Sequence, residues 1–150
     1  MTNDGQPIFH YELREDGRYR KEDIMFTVKV DPATRTVNVV MTGFWDVKTV
    51  DEYEHALLRA RAALSQAKGR IYWCIDGRHL PVQSMDVIER VQALRARMRA
   101  TGDDVYALVF APGLAAMQAK RVASREEIFT SAEEANAWLA QQHAADTASA

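Results

Sequence analysis

Apolar and polar residues alternate in two neighbouring stretches near the start of the chain. In Met25–Val30 and again in Thr36–Met41, apolar residues occupy every second position, which is the pattern of a strand with one buried face. Asp31–Arg35 separates the stretches and contains the aspartate and proline that are typical of turns. We therefore predict an antiparallel hairpin, preceded by an N-terminal extension over residues 1–23 in which Ile8–Leu13 can form a short strand.

From Val47 onward the spacing of the apolar residues becomes that of a helix. Thr49 with Glu52 matches the S/T-x-x-E capping box that often begins a helix. Lys68 and Gly69 are residue types that commonly end one. The pattern predicts an amphipathic helix whose buried stripe is Val50, Tyr53, Leu57, Ala60 and Leu64.

Two short apolar runs predict buried strands. The runs are Ile71–Ile75 and Val105–Phe110, and strands that are apolar on both faces are typical of parallel sheets. After the first run, residues 76–83 are predicted to form a loop, and helical spacing begins after Ser84. The buried stripe of that helix is predicted to be Val87, Val91, Leu94 and Met98.

The last part of the chain predicts two helices separated by a short strand. We expect Pro112 and Gly113 to start the first helix, and Glu126–Phe129 to form an edge strand. Ser131 with Glu134 repeats the capping box at the start of the second helix. The apolar residues of these helices are Leu114, Met117 and Val122 in the first, and Ala135, Trp138 and Leu139 in the second. Residues 143–150 are mostly small, which predicts a flexible tail.

This order of elements predicts a single α/β domain over residues 24–142. It has a mixed sheet with an N-terminal hairpin, then parallel β-α-β crossovers and about four helices. The carboxyl ends of the parallel strands should meet at one edge, which is where open α/β sheets bind their ligands. The candidate partner or ligand surface at that edge is Phe44, Trp45, Asp76, Arg78, His79, Pro81 and Gly113.

Several residues at this edge also have a purely structural interpretation. Phe44 and Trp45 can cover the end of the sheet, because tryptophan in particular is seldom left exposed. Gly77 can supply a positive φ for the turn that leaves the strand, and Asp76 can bind loop amides or Arg78. Ser84 is a candidate N-cap, and the cap alone would explain a serine at that position.

Charge and composition narrow the function classes. Nineteen basic residues oppose 21 acidic ones, which leaves a net charge of −2 and gives no general attraction to nucleic acid. No apolar stretch approaches the roughly 18 residues of a membrane span, so we expect neither nucleic-acid binding nor membrane insertion, and we take the cytoplasm as the default location. The single cysteine, Cys74, lies in an apolar run, so a small core residue in a reducing compartment is favoured over a catalytic thiol.

Catalytic and metal-binding patterns are weak in this sequence. Asp76, His79 and Ser84 include the residue types of a hydrolase triad, but the G-x-S-x-G nucleophile elbow is absent. The histidines lack metal-ligand spacing, and no CxxC, HExxH or phosphate-binding glycine loop occurs. We therefore expect a protein that is not an enzyme and that uses no cofactor and no metal ion.

Four stretches together resemble a known family: Val39–Trp45, Ile71–Arg78, Leu114–Arg121 and Ile128–Leu139. The chain resembles a STAS domain, the fold of bacterial anti-sigma-factor antagonists, and especially its SpoIIAA-like branch. The resemblance implies a non-enzymatic regulatory module that binds a regulatory protein. An alternative that it also implies is a domain binding a small apolar molecule or lipid at the carboxyl ends of the parallel strands, with Phe44, Trp45, His79 and Pro81 as a lid.

The resemblance also implies a regulatory switch at Ser84, the position where a kinase phosphorylates the antagonists of this family. A phosphate there would lie at a helix N-terminus, where free amides and the positive end of the dipole stabilise it. The sequence departs from the family's pattern, because Val82–Asp86 lacks both the preceding acid and the following glycine. Asp86 would also repel a phosphate on Ser84.

Overall fold

The computed structural model describes residues 7–11, 25–65, 68–100, 102–122 and 127–149. These residues form six strands and four helices. The strands are β1 Pro7–Tyr11, β2 Phe26–Asp31, β3 Thr36–Thr42, β4 Tyr72–His79, β5 Val105–Val109 and β6 Glu127–Phe129. The helices are α1 Val47–Leu64, α2 Met85–Ala100, α3 Leu114–Val122 and α4 Ala132–Ser149.

The six strands form one mixed sheet in the order β1-β2-β3-β4-β5-β6. β2 pairs antiparallel with both β1 and β3, and every pairing from β3 to β6 is parallel. The predicted α/β fold with an N-terminal hairpin and parallel crossovers is thus confirmed. Each crossover returns through a helix, since parallel neighbours cannot be joined by a tight turn.

The helices cover the two faces of the sheet unequally. α1, α2 and α3 lie over the main core, and α4 lies over a smaller cluster on the opposite face. Trp73 and Ile75 point to the first face, while Tyr72 and Cys74 point to the second, as the alternation of a strand requires. Most of the core residues predicted from the sequence are buried: Leu57, Leu64, Ile71, Trp73, Ile75, Leu94, Leu108 and Phe110; Val91 is partly buried.

The strand that precedes the candidate site is longer than predicted. β4 continues to His79, so Asp76, Gly77, Arg78 and His79 belong to the strand and not to a loop. Gly77 does not have the expected positive φ. Instead, a Cβ atom at this position would lie 2.4 Å from the ring of Phe110, so the glycine permits a close approach between β4 and the end of β5.

The start of α1 also differs from the prediction. The N-cap is Asp46 and not Thr49: the Asp46 carboxylate accepts hydrogen bonds from the Thr49 amide and hydroxyl, each 2.8 Å long. The hydrogen bond from the Thr49 amide is the main reason that the pKa of Asp46 lies below its ordinary value. The helix ends at Leu64, before the predicted Lys68 and Gly69.

The last two helices show one departure from the sequence pattern and one agreement with it. α3 buries Ala119, partly buries Ala115 and Ala116, and leaves Leu114 and Met117 exposed; the side chain of Val122 lies outside the described residues. The predicted N-cap of α4 is confirmed, since the Ser131 hydroxyl accepts a bond from the Glu134 amide at 3.3 Å.

Residues 143–149, for which the sequence predicts a flexible tail, continue α4 as far as Ser149. The Tyr72 hydroxyl donates to the Asp146 carboxylate. The His143 ring meets the Tyr72 ring edge-on at 5.1 Å between centroids. These contacts fix the end of α4 on the sheet.

Polar side chains tie together the edge of the sheet where β3, β4 and β5 begin, which we call the amino edge. The guanidinium of Arg35 donates to the carbonyls of Leu64, Gly69 and Arg70. Asp104 accepts from the Trp73 indole at 3.0 Å and from the Ile71 amide at 3.3 Å. It also pairs with Arg61 at 2.7 Å.

Candidate functional site

Three connections meet at the opposite, carboxyl edge of the sheet. They are the β3–α1 loop, the β4–α2 loop and the β5–α3 loop, which begin after Thr42, His79 and Val109. Thr42 pairs directly with His79, and the indole of Trp45 donates to the Thr42 carbonyl at 2.8 Å. Trp45 and His79 therefore lie at the same edge, as predicted.

A buried glutamine holds these connections together. The Gln83 side-chain carbonyl accepts from the Trp45 amide at 2.8 Å, and its amide donates to the carbonyls of Gly43 at 3.1 Å and Pro81 at 2.8 Å. Gln83 is only 7% exposed, so each of these bonds replaces a bond to water that the buried group has lost. No local spacing in the sequence marks Gln83 as a site residue, because its partner Trp45 lies 38 positions away.

A second glutamine connects α3 to the same point. The backbone N–H of Gln83 donates to the Gln118 side-chain carbonyl at 2.8 Å, and the Gln118 side-chain amide donates to the backbone carbonyl of Gln83 at 3.0 Å. Both the carbonyl and the amino group of the Gln118 side chain are therefore fixed by hydrogen bonds. The backbone of the β4–α2 loop is thereby joined both to the β3–α1 loop and to α3.

Large apolar side chains are exposed on all three of these segments. Each lies within one helical turn of a residue that is hydrogen bonded to Gln83, or beside Gln83 itself. We call this set the carboxyl-edge surface: Phe44, Val82, Met85, Leu114 and Met117. Leu114 is 68% exposed and Met117 is 57% exposed, so most of each side chain is in contact with solvent. Clustered exposed apolar residues of this kind are typical of interaction sites.

The two adjacent aromatics of the β3–α1 loop have opposite roles. Trp45 is 4% exposed and packs against Phe26 and Tyr53, whereas Phe44 is 64% exposed. The structural interpretation is therefore correct for Trp45, which belongs to the core and not to the predicted surface. Phe44 remains a candidate contact residue.

The charged residues predicted at this edge interact with each other. Arg78 binds Asp76 through two side-chain bonds of 3.0 and 2.7 Å, and its amide donates to the same carboxylate. Burial raises the pKa of Asp76, but the bonds from Arg78 outweigh burial and leave that pKa below its ordinary value. His79, Pro81 and Gly113 are exposed, and Gly113 has a φ of 140° just before α3.

Ser84 lies directly before α2, but its hydroxyl does not act as predicted. Its carbonyl accepts the first helical bond, from the Ile88 amide at 3.0 Å. Its hydroxyl, however, donates to the Asp86 carboxylate, and that carboxylate accepts the Val87 amide at 2.9 Å. The bond from Ser84 is the main reason that the pKa of Asp86 lies below its ordinary value. The Asp86 carboxylate thus accepts the hydrogen bond from the Val87 amide that an N-cap hydroxyl of Ser84 would be expected to accept.

A small apolar cavity lies beneath the carboxyl-edge surface. Its volume is about 80 Å³. The walls come from the sheet, from α1 to α3 and from the β4–α2 loop, and include Met41, Trp45, Leu80, Val87, Val91, Leu108, Phe110 and Ala119. Pockets that bind small molecules usually have about 300 to 1,000 Å³, so this cavity is several times smaller than a typical ligand site.

Groups considered for catalysis are engaged or unreactive. The Asp76 carboxylate is bound by Arg78 and the Ser84 hydroxyl donates to Asp86, whereas in a triad the serine hydroxyl donates to the histidine. Burial raises the pKa of the Cys74 thiol to about 11, which keeps it protonated at neutral pH. Within the described residues, no group of three or more His, Cys, Asp or Glu side chains could hold a metal ion.

The arginines of α2 divide into two kinds. Arg90 and Arg97 form ion pairs of 2.7 and 2.6 Å with Asp51 and Glu54 on α1, as expected for a solvated helix face. Arg95 is buried, and its guanidinium lies 4.5 Å from the centre of the Tyr106 ring. The spacing of α2 gave no sign of this cation–π contact, because Tyr106 lies on β5.

Models of known protein families and curated proteins give no match to this chain. Of the helices that the structure describes, none is long and apolar enough to cross a membrane.

Proposed function

We propose that this chain is a non-enzymatic regulatory module that binds a protein partner through the carboxyl-edge surface. The observation that carries the proposal is the position of five large exposed apolar side chains on three segments that Gln83 joins. Two of the five are methionines and one is an aromatic residue, types that are enriched where proteins meet.

The mode of attachment of these segments supports binding by a preformed surface. Buried hydrogen bonds from Gln83 and Gln118 fix the backbone beneath the apolar side chains. A surface fixed before binding loses less conformational entropy when a partner docks. The structure therefore combines apolar contact area with a low ordering cost.

The size of the cavity favours a protein partner over a small apolar ligand. At about 80 Å³ it is smaller than the 150 Å³ engineered cavity that accepts benzene. A lipid chain or a drug-sized molecule would need a much larger space. The larger apolar area is on the surface, where another protein can cover it.

The same proposal extends to the family resemblance and to Ser84. A STAS-like module of the SpoIIAA-like kind would bind a regulatory protein at this edge, and Ser84 lies between Val82 and Met85 of the carboxyl-edge surface. A phosphate on Ser84 would place about two negative charges within an apolar contact and beside Asp86. Phosphorylation would therefore weaken binding, because the charge would lose its water without gaining a cationic partner.

The test is affinity capture from an extract of the source cells, with the proteins quantified by mass spectrometry. The variants are the wild type, a Phe44→Ser and Met117→Ser double variant, and Leu58→Ser. Leu58 is the matched control, because it is an exposed leucine on α1 that is not in the carboxyl-edge surface. All three proteins should have equal stability in urea, since exposed substitutions change stability by about 0.5 kcal/mol or less.

The expected result is a partner that the wild type and Leu58→Ser capture equally and the double variant captures at least about tenfold less, a difference of about 1.4 kcal/mol. Equal capture by all three proteins would contradict the proposal. If no protein is captured above background and a small molecule co-purifies with the wild type, the alternative of a domain that binds a small apolar ligand would be favoured instead.

A further inference from the structure

The packing of α3 differs from that of the other helices on the same face. α1 buries tyrosine, valine and leucine side chains, and α2 buries Val87, Leu94 and Met98. Among the apolar α3 side chains that the structure describes, Ala119 is buried, Ala115 and Ala116 are partly buried against the core, and Leu114 and Met117 are exposed. Because hydrophobic stabilisation scales with the apolar area buried, α3 is held by much less of it than α1 or α2.

The small cavity lies under this poorly filled contact. Ala119 and Gln118 of α3 form part of its wall, opposite Ile75 and Leu108 of the sheet. A space next to an alanine face means that the helix lacks contact atoms there, and missing contacts forfeit attraction. Polar contacts also attach α3: the reciprocal bonds between Gln118 and the Gln83 backbone, and a longer bond of 3.5 Å from the Gln92 side-chain amide to the Arg121 carbonyl.

The connection before α3 is suited to movement. Ala111, Pro112 and Gly113 are exposed, and Gly113 adopts a φ of 140° with no atom within 4 Å of the position a Cβ would take. The Gly113 carbonyl accepts the first hydrogen bond of α3, from the Met117 amide at 3.1 Å, so a change in the Gly113 dihedral angles would turn the start of this helix. Hinges are commonly loop residues that absorb such changes.

We propose that α3 is a movable flap that opens and closes over the apolar cavity, with the Gln83–Gln118 amide pair as its latch. Opening breaks the two latch bonds and moves Ala119 away from the cavity. It leaves the sheet and its packing against α1, α2 and α4 in place, and it separates α3 from α2. The cavity then becomes a larger apolar hollow beneath the carboxyl edge.

The flap gives the proposed docking surface a link to the interior of the domain. Leu114 and Met117 lie on the flap, whereas Phe44, Val82 and Met85 lie on the fixed side of the latch. A partner that contacts both sides would hold the flap closed. This consequence rests on the proposed function, but the flap itself is a property of the free protein.

The test is native-state hydrogen exchange of the free protein, followed by NMR. The amides of Gln118 to Arg121 should exchange at least tenfold faster than the slowest amides of β4, after correction for intrinsic rates, because opening the flap is easier than unfolding the domain. Gln118→Ala should speed exchange in α3 at least a further threefold relative to β4. Gln141→Ala, an exposed glutamine of α4, is the control and should leave the α3 to β4 ratio unchanged.

Two additional variants keep the proposal testable if Gln118→Ala does not fold. Gln118→Glu keeps an oxygen acceptor but loses the donor to the Gln83 carbonyl, so it should also open the flap. Ala119→Leu adds three carbon atoms toward the cavity and should slow exchange in α3 relative to β4; it should also reduce the methyl shifts that dissolved xenon causes in the cavity walls of the wild type.

Equal exchange of α3 and β4 in the wild type would overturn the proposal, because α3 would then open only with the whole domain. An unchanged α3 to β4 ratio in both Gln118 variants would overturn the assignment of the latch. Both outcomes are independent of partner capture, so a failure of the flap is distinguishable from a failure of the proposed function.

Discussion

The two edges of the sheet use their polar and apolar residues in opposite ways. At the amino edge, Asp104 and Arg35 bind backbone and side-chain groups of the same domain. At the carboxyl edge, the bonds of Gln83 and Gln118 join loops whose large apolar side chains face outward. A hydrogen-bonded cluster thus joins core elements at one edge, and at the other edge it holds in position the loops of the surface that we propose for binding.

The largest effect is expected at the amino edge, from Asp104→Ala. The Asp104 side chain is 7% exposed, and its loss leaves Arg61 without its charged partner and the Trp73 indole without its acceptor. Removing one member of a buried pair costs about 3 to 5 kcal/mol, measured by urea unfolding. The exposed neighbour Asp103 is the control, and Asp103→Ala should cost about 0.5 kcal/mol or less. Similar losses for both variants would contradict the role of Asp104.

Gln83→Ala tests the carboxyl edge with a smaller effect on stability and a larger one on binding. It leaves the buried Trp45 amide without an acceptor, which costs about 1 to 3 kcal/mol. Capture of the partner should fall together with stability, whereas Asp104→Ala, at a temperature where it is folded, should keep its capture. Gln141→Ala serves as the exposed glutamine control. Normal capture by Gln83→Ala would show that this residue does not shape the surface.

Two serines that precede helices distinguish a structural cap from the Ser84 arrangement. The Ser131 hydroxyl accepts a helix amide, so Ser131→Ala should cost about 0.5 to 2 kcal/mol. The Ser84 hydroxyl donates to Asp86, so Ser84→Ala should cost about 0.5 kcal/mol or less. In an NMR titration, Ser84→Ala should raise the pKa of Asp86 toward its ordinary value. A larger loss for Ser84→Ala than for Ser131→Ala would restore the simple cap.

The smallest effect concerns the acid limb of stability and Asp46. The bond from the Thr49 amide is the largest cause of the lowered pKa of Asp46 in the folded protein. Its charge therefore stabilises the fold above the ordinary value of 3.8, and this contribution is lost as the pH falls through the lowered folded pKa. Asp46→Asn keeps an acceptor without the charge, so its stability should fall less steeply below pH 4. Identical acid limbs for both proteins, measured by urea unfolding, would contradict this role.

Residues with local periodicity were predicted well from the sequence. The hairpin, the buried strands and the stripes of α1 and α2 follow from steps of two, three or four positions, which report directly which side of an element is buried. Gln83 and Asp104 show the limit of this method. The partner of Gln83 lies 38 positions away, and Trp73, a partner of Asp104, lies 31 positions away, so no local spacing can reveal either cluster.

The composition of the candidate surface shows a second limit. Phe44 and Trp45 are adjacent aromatics, and only the turn of the loop decides which of them enters the core. On α3, the large apolar residues Leu114 and Met117 are exposed, whereas Ala119 is buried and Ala115 and Ala116 are partly buried, because small side chains let a helix lie closer to its neighbours. Of the predicted surface residues, Phe44 alone became part of the exposed apolar set.

Photo-cross-linking tests the central claim most directly. Benzoylphenylalanine replaces Phe44, Met117 or Leu58 in separate proteins, which are irradiated in an extract of the source cells. We predict a shared cross-linked partner from positions 44 and 117, and none of that product from position 58 on α1. A product that forms equally from position 58, or no product from positions 44 and 117, would show that the carboxyl edge is not where this protein binds its partner.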